Sequence, residues 1–154
     1  MNRRPLIAAG ATLGVGLGGF FDGIVFHQLL QLHNMLSARL PKDSVANLEI
    51  NMFWDGLFHL FCWLVVLAGI GLLWRAVRRS PTPLPGRVLG WAMLMGWGLF
   101  NLVEGLIDHQ ILGIHHVHEN GNHLLWDGVF LASGVVFMTV GAWRAYAVRA
   151  YPPQ

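Results

Sequence analysis

The sequence predicts an all-α transmembrane four-helix bundle made of two tandem helical-hairpin repeats. Three observations lead to this fold class. Hydrophobic residues make up 55% of the 154 residues and charged residues only 12%, a composition that excludes an ordinary soluble domain. Four apolar segments are each longer than the roughly 20 residues that cross a bilayer. Finally, a polar motif in the first apolar segment recurs in the third.

The four apolar segments are the predicted helices of one membrane domain over residues 1–154. They lie at about residues 5–32, 52–74, 88–114 and 124–146. The first carries Gly10, Gly14 and Gly18 at four-residue spacing, which lets membrane helices approach closely and also suits a contact between copies in a homo-oligomer. Residues 80–86, SPTPLPG, are rich in proline and are predicted to be a cytoplasmic connector, because helices do not run through such a segment.

The third segment repeats the first. Residues 14–33 align with residues 96–115 at a constant offset of 82, and a WDG motif in the second segment recurs in the fourth at an offset of 72. The repeats are therefore predicted to cover about residues 5–75 and 87–147, with a pseudo-twofold axis along the membrane normal. The polar pairs are Asp22/Glu104, His27/His109, Gln28/Gln110, His33/His115 and Asp55/Asp127.

The distribution of arginines predicts the orientation in the membrane. Eight arginines precede the first helix, flank the connector or follow the last helix, and the positive-inside rule assigns these positions to the cytoplasm. They are Arg3, Arg4, Arg75, Arg78, Arg79, Arg87, Arg144 and Arg149. Both termini are therefore expected in the cytoplasm, while all acidic residues and histidines fall toward the outer face. The basic residues form no face interleaved with aromatics, so nucleic acid is not an expected partner.

Carboxylates and histidines at the outer end predict a metal site. Counting 1.5 Å per residue from the cytoplasmic boundary puts one carboxylate of each helix at the same depth. These four residues are Asp22, Asp55, Glu104 and Asp127. No Lys or Arg lies at that depth, so a bound cation or protons must offset the repulsion in a low dielectric. The candidate ligands are Asp22, His27, Asp55, His59, Glu104, Asp108, His109, His123 and Asp127. These residue types suit zinc, iron, copper or manganese, and the choice stays open.

Simple helix geometry limits which candidates can share an ion. A continuous α-helix would put Glu104 and His115 on one face and His109 on another, about 140° away. The first helix is likewise expected to continue to Asn34. Asp108, His116 and His118 have no counterpart in the first repeat, so function is expected to have specialised there.

Simpler roles compete with these assignments. Asp55 and Asp127 could complement helix dipoles, since both lie near helix starts. The histidines of residues 115–123 could be solvated, and Cys62 is expected to be a small packing residue.

The two motifs FDGIVFHQLLQLH and VEGLIDHQILGIHHVHE, with the two WDGxF segments, resemble a bacterial family of predicted inner-membrane proteins of unknown function. The resemblance covers nearly the whole chain. It implies a multi-pass inner-membrane protein with four helices in the lipid bilayer, and it implies no activity and no ligand set.

Three functions remain open. The first is a metal-binding membrane protein with a mono- or dinuclear site, either a hydrolase or oxidoreductase with a small-molecule substrate or a carrier serving an acceptor at the outer face. The second is a membrane cytochrome in which His27 and His109 bind haem iron. The third is a proton or cation path, although the cytoplasmic half of each helix lacks ionisable residues. A structural or assembly role is the fourth possibility.

Overall fold

Four long helices make up most of residues 3–147, the part of the chain that the computed structural model describes. They are α1 (Arg4–Phe21), α2 (Val45–Arg79), α3 (Gly86–Glu104) and α4 (His123–Ala147). Four helical stretches are long and apolar enough to cross a membrane, and the first and third extend beyond α1 and α3: Arg4–Leu29, Val45–Arg79, Gly86–Ile111 and His123–Ala147. The prediction of an all-helical, four-helix membrane fold is confirmed, whereas Arg149 of the predicted cytoplasmic set lies outside the described residues.

α1 and α3 form the centre of the molecule. The main helix contacts join α1 to α2, α1 to α3, and α3 to α4, so the helices lie in the order α2, α1, α3, α4. Glycines allow α1 and α3 to touch: a Cβ added to Gly14 would lie 2.0 Å from the Met93 carbonyl oxygen. The predicted glycine stripe of α1, which also includes Gly10 and Gly18, therefore faces α3 of the same chain and is occupied there.

The two ends of the bundle have different interiors. At the end near the arginines, the buried cluster is apolar and consists of Leu6, Ile7, Val88, Ala92 and Ala145. At the opposite end, the buried side chains are mainly polar and include Asp22, His27, His33, Asp55, Glu104, His109, His115 and Asp127. Because buried ionisable groups are costly unless they are paired, this polar end is where a site is expected.

α1 and α3 do not end as ordinary α-helices. Each continues into a π-helical segment, Asp22–Leu29 after α1 and Gly105–Ile111 after α3. In a π-helix the backbone bonds join residues five apart, and such segments are rare and frequent at functional sites. Beyond each segment, one residue has a positive φ angle: 51° at Gln31 and 54° at Gly113.

The positive φ angles correct one prediction. A left-handed residue cannot continue a right-handed helix, so the chain turns after each π-helical segment. The expected continuation of the first helix to Asn34 is therefore wrong, since His33 and Asn34 lie in the loop that follows. α2 also begins earlier than expected, at Val45, where the Ser44 hydroxyl accepts a hydrogen bond from the Asn47 N–H.

Candidate metal centre

Four side chains meet at the polar end with their donor atoms facing one point. His27, His33, Glu104 and His115 each offer one nitrogen or oxygen, and these atoms all lie within 4.8 Å of one another. All four residues are buried. Donor atoms about 2.1 Å from one ion lie roughly 3–4 Å apart, so only a small contraction separates this arrangement from a coordination shell.

Asp22 and His109 border the same point. The Asp22 Oδ2 lies 3.1 Å from His27 Nε2 and 3.8 Å from His33 Nε2. The His109 ring centroid lies 4.8 Å from that of His115. Both residues are buried. The centre therefore gathers six side chains, and we refer to Asp22, His27, His33, Glu104, His109 and His115 as the central cluster.

Several atoms of the central cluster are buried without a hydrogen-bond partner. They are Asp22 Oδ2, His27 Nε2, His33 Nε2, Glu104 Oε2 and both ring nitrogens of His109. Two of these nitrogens lie at ion-pair distance from a carboxylate, His27 Nε2 from Asp22 and His109 Nδ1 from Asp127, without the geometry of a hydrogen bond. A buried polar atom without a partner costs about 1–3 kcal/mol, and more when it is charged. Unpaired atoms so close together would therefore be strongly unfavourable, unless a shared cation or protons satisfy them.

The opposite ring nitrogens explain how the histidines are oriented. The Nδ1 of His33 lies 3.0 Å from the Val117 carbonyl oxygen, and that of His115 lies 3.1 Å from the Met35 carbonyl oxygen. A carbonyl oxygen can only accept, so each Nδ1 carries the proton and donates. The Nε2 lone pair of the neutral ring is then left to face the centre, as in metal-binding histidines.

Asp55 and Asp127 form the surrounding layer. His27 Nδ1 lies 2.9 Å from Asp55 Oδ1, and His109 Nδ1 lies 3.4 Å from Asp127 Oδ1. Each carboxylate also accepts a backbone N–H from the loop, that of Met35 at 2.8 Å for Asp55 and that of Val117 at 3.0 Å for Asp127. These two residues therefore hold the loops and the rings in place, a larger role than complementing a helix dipole.

The side-chain contacts of these two aspartates also correspond. Gln28 Nε2 donates to Asp55 at 3.3 Å, and Gln110 Nε2 donates to Asp127 at 3.4 Å. Asn34 Nδ2 donates to Asp55 Oδ2, while His116 Nδ1 lies 2.7 Å from Asp127 Oδ2. His116 thus takes the place of Asn34 and is not an added feature without a counterpart.

The two outer loops cross-link the halves of the chain. Ala38 N–H donates to the Ile114 carbonyl oxygen at 3.0 Å, and Glu119 N–H donates to the Leu32 carbonyl oxygen at 3.3 Å. The Ser37 hydroxyl donates to Glu119 Oε1 at 2.8 Å. His33 and His115 also donate to carbonyl oxygens of the opposite loop, those of Val117 and Met35. The central cluster therefore depends on both halves.

The π-helical segments explain why the prediction that Glu104 and His109 lie on different helix faces is wrong. Asp22 and His27 are five residues apart, as are Glu104 and His109, and the wider turn of a π-helix brings side chains at this spacing closer to one face than an α-helix does. His115 is not on the helix at all, because the π-helical segment ends at Ile111 and the chain turns back. The α-helical spacing that separated His109 from Glu104 and His115 therefore does not apply.

The structure gathers only some of the predicted ligands. Asp22, His27, Glu104 and His109 belong to the central cluster, while Asp55 and Asp127 lie one layer outside it. His59 is half-buried and its Nδ1 lies 2.8 Å from the Asp55 carbonyl oxygen. Asp108 is half-buried beside an apolar groove, and His123 is exposed with its ring 4.6 Å from that of His116. The structure does not bring these last three into the central cluster.

His33 and His115 are the central residues that the ligand prediction missed. Both were identical in the repeat alignment, and both follow two residues after the positive-φ position. Burial, and then the neighbouring histidines His33, His109 and His27, lower the pKa of His115 well below its usual value. His115 is therefore neutral at physiological pH, the form in which imidazole binds a metal.

The contacts around His27 and His109 do not fit haem. The His33 ring centroid lies 4.4 Å from that of His27, and Asp22 Oδ2 lies 3.1 Å from the His27 Nε2 that would bind the iron. The His115 ring centroid lies 4.8 Å from that of His109. A porphyrin needs a wide open plane directly beside its axial nitrogen, and these side chains fill that space.

The comparisons with known proteins identify a family and no ligand. Residues 9–147 match the model of a family described as predicted membrane protein (DUF2243). No curated protein and no solved structure matches the chain. Since the match extends over nearly the whole described region, this chain belongs to the DUF2243 family of predicted membrane proteins.

Proposed function

We propose that this protein is an integral membrane metal-binding protein whose central cluster holds a divalent transition metal. The supporting observation is the convergence of buried histidine Nε2 and carboxylate oxygen atoms that have no hydrogen-bond partner. Imidazole and carboxylate suit zinc, iron, manganese and copper. The metal would replace the missing partners of these atoms and offset the charge of Asp22 and Glu104.

The two halves favour a symmetric set of ligands, and we regard them as copies of one hairpin. Each half contributes two histidines and one carboxylate: Asp22, His27 and His33 from the first, and Glu104, His109 and His115 from the second. Two histidines with one carboxylate are the ligand set of many non-haem iron sites. One six-coordinate ion or a pair of ions would use all six side chains, and the metal-to-protein ratio distinguishes these two cases.

The proposal includes a location. The arginines at the apolar end support placing both termini in the cytoplasm of a bacterial inner membrane, with the metal centre toward the outer face. An ion there would be within reach of outer-face substrates or acceptors. A proton or cation path is less well supported, because the cluster of Leu6, Ile7, Val88, Ala92 and Ala145 offers no polar group at the other end.

Metal analysis of the purified protein tests this function. Wild-type protein, produced with supplemented zinc, iron, manganese or copper and purified in detergent, is expected to hold at least one metal ion per chain. His33→Ala is expected to lose most of that metal, since it removes an Nε2 donor from the centre. His123→Ala serves as the matched control, because His123 is exposed and lies outside the central cluster.

Two results would overturn the proposal. One is wild-type protein that carries no stoichiometric metal under any of these supplements. The other is equal metal loss in His33→Ala and His123→Ala, which would assign the metal to the outer loop.

A further inference from the structure

A cavity of about 710 Å³ lies at the arginine-rich end of the bundle, opposite the central cluster. Three parts of the chain form it: the start of α1, the last turns of α2 and the connector that follows α2. Arg75 and Arg79 line it together with apolar side chains from all three parts. These apolar residues include Leu6, Ala8, Leu72, Ala76 and Leu84. The cavity therefore combines two cations with an apolar wall.

α2 presents both arginines to the same cavity. Arg75 and Arg79 are four residues apart, so they lie on one face of the helix, with their Cα atoms about 6 Å apart along its axis. Arg78 is also exposed at the end of α2 but does not line the cavity. The Ser80 hydroxyl donates to the Thr82 carbonyl oxygen at 2.6 Å, which fixes the turn of the connector directly after the two arginines.

The chain supplies no acidic side chain that could pair with these two arginines. All eight Asp and Glu residues lie in residues 22–55 and 104–127, toward the other end of the molecule. Within the described residues, neither Arg75 nor Arg79 forms an ion pair or a side-chain hydrogen bond. Arg79 complements the dipole at the C-terminal end of α2, but this interaction uses none of the five N–H donors of a guanidinium group. These donors remain available to an anion.

The chemistry of the cavity favours the phosphate of a lipid. A guanidinium group matches two phosphate oxygens at once, which makes arginine the preferred partner of this anion. α1 and α2 belong to candidate membrane spans, so the cavity lies where the apolar part of the membrane gives way to the basic end of the bundle. Its apolar wall suits glycerol and the first methylenes of acyl chains, which a free phosphate lacks.

The lining also selects the charge of the lipid. The described residues that line the cavity include neither a carboxylate nor an aromatic ring, the two groups that hold a quaternary ammonium. The positive group of a choline head would also be repelled by Arg75 and Arg79. A head with net negative charge meets no such repulsion.

We infer that this cavity binds one phospholipid of net negative charge, with its phosphate at Arg75 and Arg79 and the start of its acyl chains against Leu6, Ala8 and Leu72. The lipid contacts α1, α2 and the connector together and so joins the start of the first helix to the end of the second. This inference does not depend on the proposed metal function. Only its placement in the cytoplasmic leaflet rests on the orientation proposed above.

Native mass spectrometry in an uncharged detergent tests the inference. The full chain is titrated with phosphatidylglycerol or with phosphatidylcholine that carries the same acyl chains. The wild-type protein is expected to bind one phosphatidylglycerol about tenfold more tightly than phosphatidylcholine, because two basic residues act on a head that differs only in its net charge. Equal affinity for the two lipids would overturn the inference.

A pair of double variants separates this cavity from a general attraction of the basic end. Arg75→Gln with Arg79→Gln is expected to lower the affinity for phosphatidylglycerol about tenfold and to remove the preference over phosphatidylcholine. Arg78→Gln with Arg87→Gln changes the net charge equally at the same end, and neither residue lines the cavity. It is expected to bind like the wild type. Equal losses in the two double variants would overturn the inference.

A change of shape tests the cavity without changing its charge. Ala8→Trp fills the space and is expected to block phosphatidylglycerol binding. Val77→Trp is the control, since Val77 is 53% exposed and does not line the cavity. Circular dichroism confirms that the variants are folded. Equal binding by Ala8→Trp and Val77→Trp would overturn the inference, as would displacement of the lipid by equimolar glycerol 3-phosphate, which would indicate a site for soluble anions.

Discussion

Replacing Asp55 with alanine is expected to lower metal affinity by about 10–100-fold, although Asp55 lies outside the central cluster that is proposed to hold the ion. Its carboxylate holds His27 Nδ1 at 2.9 Å and accepts the Met35 N–H at 2.8 Å, and Met35 in turn accepts from His115. The substitution therefore releases one ligand ring directly and a second through the loop. Competition between the protein and a chelator of known affinity measures the change.

His59→Ala is the matched comparison for this prediction. His59 lies on the same helix, one turn from Asp55, and its spacing predicts that it is a ligand. Within the described residues, its side-chain hydrogen bond is with the Asp55 backbone oxygen. Metal affinity is expected to stay near the wild-type value. An Asp55→Ala protein that is folded by circular dichroism and binds metal as tightly as His59→Ala would contradict the assignment of Asp55 to the orienting layer.

Removing the metal is expected to lower the melting temperature of the wild-type protein by about 10 °C. A ligand present at 1,000 times its Kd adds about 4 kcal/mol to the free energy of unfolding, and each kcal/mol shifts the melting temperature of a domain of this size by about 2–4 °C. Without the ion, the unpaired atoms of the central cluster lose their partner. Thermal unfolding in detergent, with saturating metal and with EDTA, measures the difference.

The His33→Ala variant makes the same experiment specific. It lacks one donor, so its melting temperature is expected to depend little on added metal, whereas that of His123→Ala is expected to respond like the wild type. A similar metal response in all three proteins would mean that the stabilising ion binds elsewhere.

The helical, membrane-spanning fold could be predicted from the sequence because the governing property is simple. A run of more than 20 apolar residues has few alternatives to a membrane helix. Four members of the central cluster, Asp22, His27, Glu104 and His109, could also be predicted, since ionisable residues in apolar helices need a functional reason. The internal repeat stays a prediction, which the corresponding contacts of the two halves support.

The rest could not be predicted because it depends on local backbone geometry. Nothing in the composition of residues 22–29 or 105–111 distinguishes a π-helix from an α-helix, and the choice shifts every side chain that follows. His33 and His115 reach the centre only after the chain turns at Gln31 and Gly113. Gly113 is an ordinary signal for a left-handed residue, but Gln31 is not. In the sequence, the alignment of Gln31 with Gly113 is what indicates that Gln31 is also left-handed.

Spacing on a single helix was the misleading signal. The i, i+4 pairs Asp55/His59 and His123/Asp127 look like metal ligands, yet the aspartates orient other histidines and their partners lie outside the central cluster. Asp108 has no acidic counterpart, since Phe26 stands at the aligned position of the first segment. Asp108 lies beside the apolar groove and outside the central cluster.

Anomalous diffraction from crystals of the metal-loaded protein tests the central claim most directly. Data collected on both sides of the absorption edge of the bound metal are expected to show a peak about 2.0–2.3 Å from Nε2 of His27, His33 and His115 and from a Glu104 oxygen. A peak among the exposed histidines of the outer loop, or no peak in protein that contains metal by elemental analysis, would contradict it.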